Sequence, residues 1–292
     1  MEKLIEAGGF GLVTSAVICL AAVGLTLQVG VTNFVNFAYG DFMTFGAFVA
    51  YWANSLGLNF FVAAGVGAAA AAILGVTCNL VVFRPFVRRK ASPITLVILS
   101  IGLALIVQNM LIVVFGTSPN RFNVSVGTAQ HFGPLVLTPG DVALIALAGA
   151  LLLGLHVLLQ YTKFGRSLRA TSGNADLAAS CGIDTGRVAT WTWAMSGALA
   201  AVAGIGLVLE TSVMNVGSGF GELFLVFAAM VLGGIGRPYG AMVGGLVVGM
   251  AIELSGTYLD PAYSTLSAFV ILVVVLLVRP QGIFASRGVT TS

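Results

Sequence analysis

Six stretches of this chain run without a single Asp, Glu, Lys or Arg: residues 7–40, 42–83, 91–120, 142–162, 188–209 and 261–278. A helix needs about 20 mainly apolar residues to cross roughly 30 Å of hydrocarbon, and each stretch can hold at least one. Charged residues make up only 8% of the 292, against roughly a quarter in soluble domains, and mean hydropathy is +1.05. The bilayer is therefore the solvent for most of the chain. The fold class is an all-α polytopic membrane protein with about eight or nine transmembrane helices, one or two of them broken or re-entrant.

The hydrophobic pattern predicts spans near 11–30, 35–54, 60–83, 94–115, 141–161, 188–209, 222–234, 239–256 and 263–278. The first residues, MEKLIEAG, carry two acids and one base. They lack the positive start of a cleaved secretion signal, so this segment reads as a first membrane helix. Arg84, Arg88, Arg89 and Lys90 form one basic cluster, and Lys163, Arg166, Arg169 and Arg187 form another. Both belong on the cytoplasmic side, and the pair of spans between them agrees. Arg237, Arg279 and Arg287 then fall on the same side, giving a cytoplasmic C-terminus and an extracytoplasmic N-terminus.

Metal and disulfide chemistry find little support. Cys19, Cys78 and Cys181 are scattered and read as small apolar fillers. His131 reads as a solvated residue of the outer loop at 116–140. His156, inside a span, has no second ligand at metal spacing and reads as a helix-packing residue. No Ser-His-Asp set or catalytic carboxylate pair argues for an enzyme. No GxxxxGK[ST] segment is present, so a nucleotide phosphate finds no P-loop here. Any ATP that drives this chain binds another subunit, and no cofactor is expected on it.

Two segments break the helical pattern. Residues 232–249, LGGIGRPYGAMVGGLVVG, are too glycine-dense for a plain helix. With Pro238 at the bend they predict either a tight helix hairpin or a broken helix lining a cavity. Residues 31–52 place Asn33, Asn36 and Asp41 among aromatics. An acid costs less at a span end than at the bilayer centre, so Asp41 is expected near the cytoplasmic interface, capping a helix. Tyr39-Gly40 and Tyr239-Gly240 each open a glycine-bearing helix, a faint sign of an internal repeat. Glu210 and Glu222 read as solvated ends of an outer loop, with Glu253 also near the outer surface. Gln108 and Asn109, within a span, suit a polar path or interhelical hydrogen bonding.

The longest polar interruption is Lys163–Arg187, KFGRSLRATSGNADLAASCGIDTGR. Ser167 to Ala179 contains no proline and only Gly173 interrupts it, which predicts a short helix. Gly182 supplies its stop. Arg166, Arg169 and Arg187 suit acids on a partner, and Leu168, Leu177 and Ala178 suit an apolar groove. Positive-inside topology alone needs no such helix.

Five ordered segments carry a resemblance: NFAYGDF (36–42), GRSLRATSGNADLAASCGI (165–183), AMSGALAAVAGIGL (194–207), VLGGIGRPYGAMVGG (231–245) and RPQGIF (279–284). Together they resemble the permeases of branched-chain amino-acid ABC importers, the shorter LivH-type subunit above all, over almost the whole chain. The resemblance implies a single permease domain over 1–292 in a prokaryotic inner membrane. It also implies two ATPase subunits, a sister permease chain or second copy, an extracytoplasmic solute-binding protein, and transport by alternating access. The loop at 163–187 would insert into the ATPase. The segments at 31–46 and 232–245 would line the path, with Asn33, Asn36, Tyr39, Gly40, Asp41, Gln108, Gly233, Gly234 and Gly236 as its candidate residues. Members often carry His where Tyr39 stands, Lys where Leu225 stands and Ser where Arg237 stands. These departures touch the solute rather than the class, because similar permeases carry urea, short amides or sugars. A stand-alone secondary transporter is the other alternative, and the scarcity of acids at depth counts against it.

Overall fold

The computed structural model describes residues 2–122, 130–132, 135–258, 263–279 and 282–283. Twelve helices make up the described bundle. They are α1 (Glu2–Thr32), α2 (Tyr39–Ser55), α3 (Phe60–Thr77), α4 (Arg84–Arg88), α5 (Pro93–Phe115) and α6 (Pro139–Tyr161), then α7 (Lys163–Gly173), α8 (Ala175–Ser180), α9 (Thr185–Thr211), α10 (Ser218–Gly233), α11 (Pro238–Tyr258) and α12 (Ser264–Val278). A π-helical turn, Cys78–Phe83, joins α3 to α4 and makes one continuous apolar run of them. Six helical runs are long and apolar enough to cross a membrane, and α10 and α12 are shorter apolar helices. Each of the nine predicted spans is a helix. Two three-residue strands, β1 (Gln130–Phe132) and β2 (Leu135–Leu137), form a small hairpin in the loop before α6. The expectations for Arg287, for the end of the RPQGIF segment and for the rest of the loop at 123–129 lie outside the described residues.

Helices α1 and α9 form the buried centre, while α3, α5, α6 and α11 turn much of their surface outward. With little hydrophobic force between helices in lipid, close packing must hold them, and small residues permit it. On α11, Gly245 and Gly249 press on α1: an added Cβ would lie 2.8 Å from the Cys19 Cα and 2.5 Å from the Ser15 Cα. On α3, Gly75 meets the Trp193 carbonyl of α9, and Gly197 of α9 meets the Ala71 carbonyl.

The chain turns inward after α1. Asn33 takes a left-handed conformation (φ 55°), and Phe34, Asn36 and Ala38 are buried. Side chains replace the missing helical bonds, as buried irregular backbone in a membrane requires. Asn36 accepts from the Ala38 amide at 3.1 Å and donates to Gln28 at 3.3 Å, and the Phe37 amide donates to Ser100 Oγ at 3.1 Å. When α2 begins, its Tyr39 hydroxyl lies over Gly24, eight residues and about 12 Å short of the end of α1. The same event follows α9. Residues 212–217 fold back, pinned by paired backbone bonds between Met214 and Asn120, and α10 begins deep in the bundle.

The two re-entrant helices meet at their N-termini. A Cβ on Gly40 would sit 2.5 Å from the Gly219 carbonyl oxygen, and the Gly219 amide donates to Thr44 Oγ1 at 3.0 Å. Contacts repeat around this point. Helix α1 packs on α11 as α9 packs on α3; α2 lies beside α3 and α5 as α10 lies beside α11 and α12. Since α1 and α9 run in opposite directions, α1–α5 and α9–α12 form an inverted pair. The internal repeat expected from Tyr39-Gly40 and Tyr239-Gly240 is corrected: the partner of Gly40 in this symmetry is Gly219. Dipeptide likeness misled because an inverted repeat preserves helix order and packing rather than local sequence.

The glycine-dense segment at 232–249 resolves as the hairpin reading. Its bend is the turn 234–237, with Gly234 at φ 107° and Gly236 at φ 77°. Helices α10 and α11 close on each other there: a Cβ on Gly233 would lie 2.0 Å from the Gly240 oxygen. Gly233→Ala is expected to destabilise the chain by about 1–3 kcal/mol through overpacking. Gly149→Ala on α6 meets nothing within 4 Å and is expected to be neutral or slightly stabilising. Thermal unfolding of both variants in detergent, followed by size-exclusion, checks the contrast.

Candidate functional site

Three elements converge at the end of the bundle that carries α7 and α8. The close of α1 supplies Val29, Gly30 and Asn33, α7 supplies Leu168, Arg169 and Ser172, and the α10–α11 turn supplies Gly236, Arg237 and Tyr239. They enclose a cavity of about 840 Å³, a size that suits a small solute. Its walls are mostly apolar, with Phe34, Val35, Leu159 and Ile235 among them. At its narrowest point a Cβ on Gly30 would sit 3.4 Å from Ser172 Oγ and 3.5 Å from the Gly236 Cα. The Arg169 guanidinium donates to the Leu159 carbonyl at the end of α6. The Tyr239 hydroxyl and His156 Nδ1 are 2.9 Å apart, joining α11 to α6, which is the helix-packing role expected of His156.

The other path candidates lie elsewhere. Asn36 bonds Gln28 of α1, the Tyr39 hydroxyl lies over Gly24 of α1, Gly40 meets Gly219 of α10, and Asp41, in the first turn of α2, is only 1% exposed. Its expected place at the interface is therefore corrected. The chain re-enters after α1, so the first turn of α2 lies within the bundle, and neither carboxyl oxygen meets a hydrogen-bond partner among the described residues. The first turn of α2, in which Asp41 stands, carries free amides with positive partial charge that suit an acid. Gln108 lies towards the far end of α5, its amide 3.8 Å from where a Gly217 Cβ would be. Asn109 bonds the Leu105 carbonyl of its own helix at 2.7 Å. Gly233 and Gly234 belong to the hairpin contact rather than to the cavity wall.

The segment at 163–187 is two helices rather than one. Thr162 caps α7 through the Gly165 amide, and Asn174 breaks the run by capping α8 through the Leu177 amide. Gly182 ends α8 at φ 84°, with the Gly182 and Ile183 amides returning to the Ala179 and Ala178 carbonyls, a Schellman stop. Leu177 is 63% exposed, but Leu168 and Ala178 are 5% and 4% exposed. Those two are corrected from a partner's groove to this chain's own interior: amphipathic α7 lays Leu168 against the bundle, and Ala178 is the buried residue of α8. Arg166 is exposed, and Arg187 pairs with Asp184 at 3.0 Å.

One grouping was not legible in the sequence. At the opposite end of the bundle, the Thr14 hydroxyl of α1 bonds the carboxyl groups of Glu210 on α9 and Glu253 on α11, the latter at 2.9 Å. The sequence places Glu210 at the solvated end of an outer loop and Glu253 near the outer surface, with nothing to join them. The only signal was a hydroxyl on a helix that must pack against both.

A bundle of this kind, with paired re-entrant helices at mid-depth and a solute-sized cavity at one end, defines a polytopic membrane permease. Residues 9–278 match the family described as the branched-chain amino acid transport system permease component, and the chain belongs to that family. The chain is 33% identical to the high-affinity branched-chain amino acid transport system permease protein LivH of Salmonella typhimurium, over 94% of this chain and 92% of the relative. It is 34% identical to the same protein of Escherichia coli K12 over the same shares. The probable LivH permease of Methanocaldococcus jannaschii is 32% identical over 97% of this chain and 92% of its own length. Among solved structures, PsaBC from Streptococcus pneumoniae in complex with Fab shares the fold, with a TM-score of 0.50 and 14% identity. That match covers 94% of this chain and 92% of the other.

Proposed function

We propose that this chain is the permease subunit of an ABC importer, forming the translocation path for branched-chain amino acids by alternating access. Hydrolysis of ATP belongs to two partner subunits, the permease half is completed by a sister chain or second copy, and an extracytoplasmic binding protein delivers the solute. The end bearing α7 and α8 faces the cytoplasm, as its basic residues suggest. The observation that carries the reading is the shared wall of the 840 Å³ cavity: α7 supplies Leu168, Arg169 and Ser172 to the same space that the α1 end and the α10–α11 turn enclose. A partner that moves α7 therefore reshapes the path directly. Apolar walls with a few polar groups suit an aliphatic amino acid. Coupling needs only that the ATPase contacts differ in the two states.

The test is uptake of leucine into vesicles carrying this chain with its ATPases and binding protein, with urea and ribose as competitors. ATP-dependent leucine uptake unaffected by either competitor is expected. Arg166→Glu with Leu177→Ser should leave membrane insertion intact and lower uptake roughly thirtyfold, the effect of losing about 2 kcal/mol at a partner contact. Uptake that survives ATP depletion would instead support a secondary carrier.

A further inference from the structure

The π-helical turn and α4 end in a dense cationic site, and we propose that it binds the headgroup of an anionic phospholipid. A second cavity, of about 450 Å³, is lined by Leu80, Arg84, Pro85, Arg88 and Arg89. Arg84 and Arg88 are four residues apart and share one side of the helix, and Arg89 follows as the helix ends. None of the three guanidinium groups has a carboxylate within 4 Å among the described residues, and the nearby Asp184 is paired with Arg187. Three forked donors without an acidic partner suit a phosphate oxygen set.

The apolar surroundings choose between a lipid and other anions. Along the same helical run, Gly67, Ala71 and Gly75 pack inward on α2 and α9, so the opposite face looks out. That face shows Ile73 and Val81, 66% and 68% exposed, with Leu80 at the cavity itself. A ligand whose phosphate sits among the arginines and whose hydrocarbon runs along Leu80, Val81 and Ile73 satisfies both features. A soluble anion satisfies only the first. Basic residues at the membrane edge attract anionic lipid in just this arrangement. Orientation alone requires the charges but not a cavity that gathers them.

Native mass spectrometry of the intact complex in mixed micelles of phosphatidylglycerol and phosphatidylcholine tests the proposal. The wild type should retain phosphatidylglycerol preferentially. Arg88→Gln with Arg89→Gln, both exposed residues, should weaken that preference about twenty-five-fold, taking about fivefold per cation; adding Arg84→Gln should weaken it about a hundredfold. Should the double variant lose the ATPase subunits while keeping its lipid preference, the face is a protein-docking surface and the proposal fails. Equal displacement of phosphatidylglycerol by millimolar inorganic phosphate would also overturn it, leaving a site for free anions.

Discussion

Cysteines at Gly30 and Ser172, in a chain carrying Cys181→Ser, are expected to cross-link and stop transport until a reductant is added. The Gly30 Cβ position lies 3.4 Å from Ser172 Oγ, where a cysteine sulfur would stand, so a small adjustment brings two sulfurs within the S–S bond length of about 2 Å. Cys181 is the exposed native thiol and must be removed first, whereas Cys19 and Cys78 are buried. The bond would tie α7 to the end of α1 at the narrowest point of the cavity. If motion of α7 opens and closes that space, the oxidised protein loses essentially all uptake and regains it on reduction. Gel mobility reports whether the bond has formed. Full uptake by the cross-linked protein would rule α7 out as the moving wall.

The second large effect concerns Asp41. Replacing it by Lys puts an ammonium in the buried first turn of α2, inside the bundle. The insertion penalty for Lys at the centre of a span is about 2.5–3.5 kcal/mol, and the loss of a favourable helix-end interaction adds about 1 kcal/mol. Asp41→Lys should therefore yield almost no monodisperse protein after detergent extraction. Asp41→Asn keeps the shape and removes the charge, and is expected to cost only about 1 kcal/mol. Fluorescence-detected size-exclusion of the two variants gives the comparison. A well-folded Asp41→Lys chain would mean that this residue is not buried within the bundle.

The spans were readable because charges punctuate the sequence at their ends, and the hairpin at 234–237 because Pro238 and its neighbouring glycines leave few other conformations. Re-entry was harder. Residues 31–38, VTNFVNFA, fit an interfacial connection as well as a buried one, since nothing local says where their amides find partners. Those partners are Gln28 and Ser100, the latter on another helix. The depth of Asp41 was hidden for the same reason, and so was the meeting of Glu210 and Glu253 on Thr14. In the segment at 163–187, Arg166 and Leu177 are exposed. Leu168 on α7 and Ala178 on α8 are buried instead, because short helices give their apolar residues no label saying which neighbour they serve.

The opposed halves have a consequence for what must break. The cavity between the α1 end and the α10–α11 turn leaves one end of the molecule open, and the hydrogen-bonded trio of Thr14, Glu210 and Glu253 latches the other. Two inverted halves can exchange shapes, each adopting the conformation its counterpart holds, and the opening then changes sides. In the proposed alternating-access cycle, that exchange would part α1 from α9 and α11 where the trio now joins them. On that reading, a hydroxyl shared by two acids would be the clasp to undo before the far mouth opens.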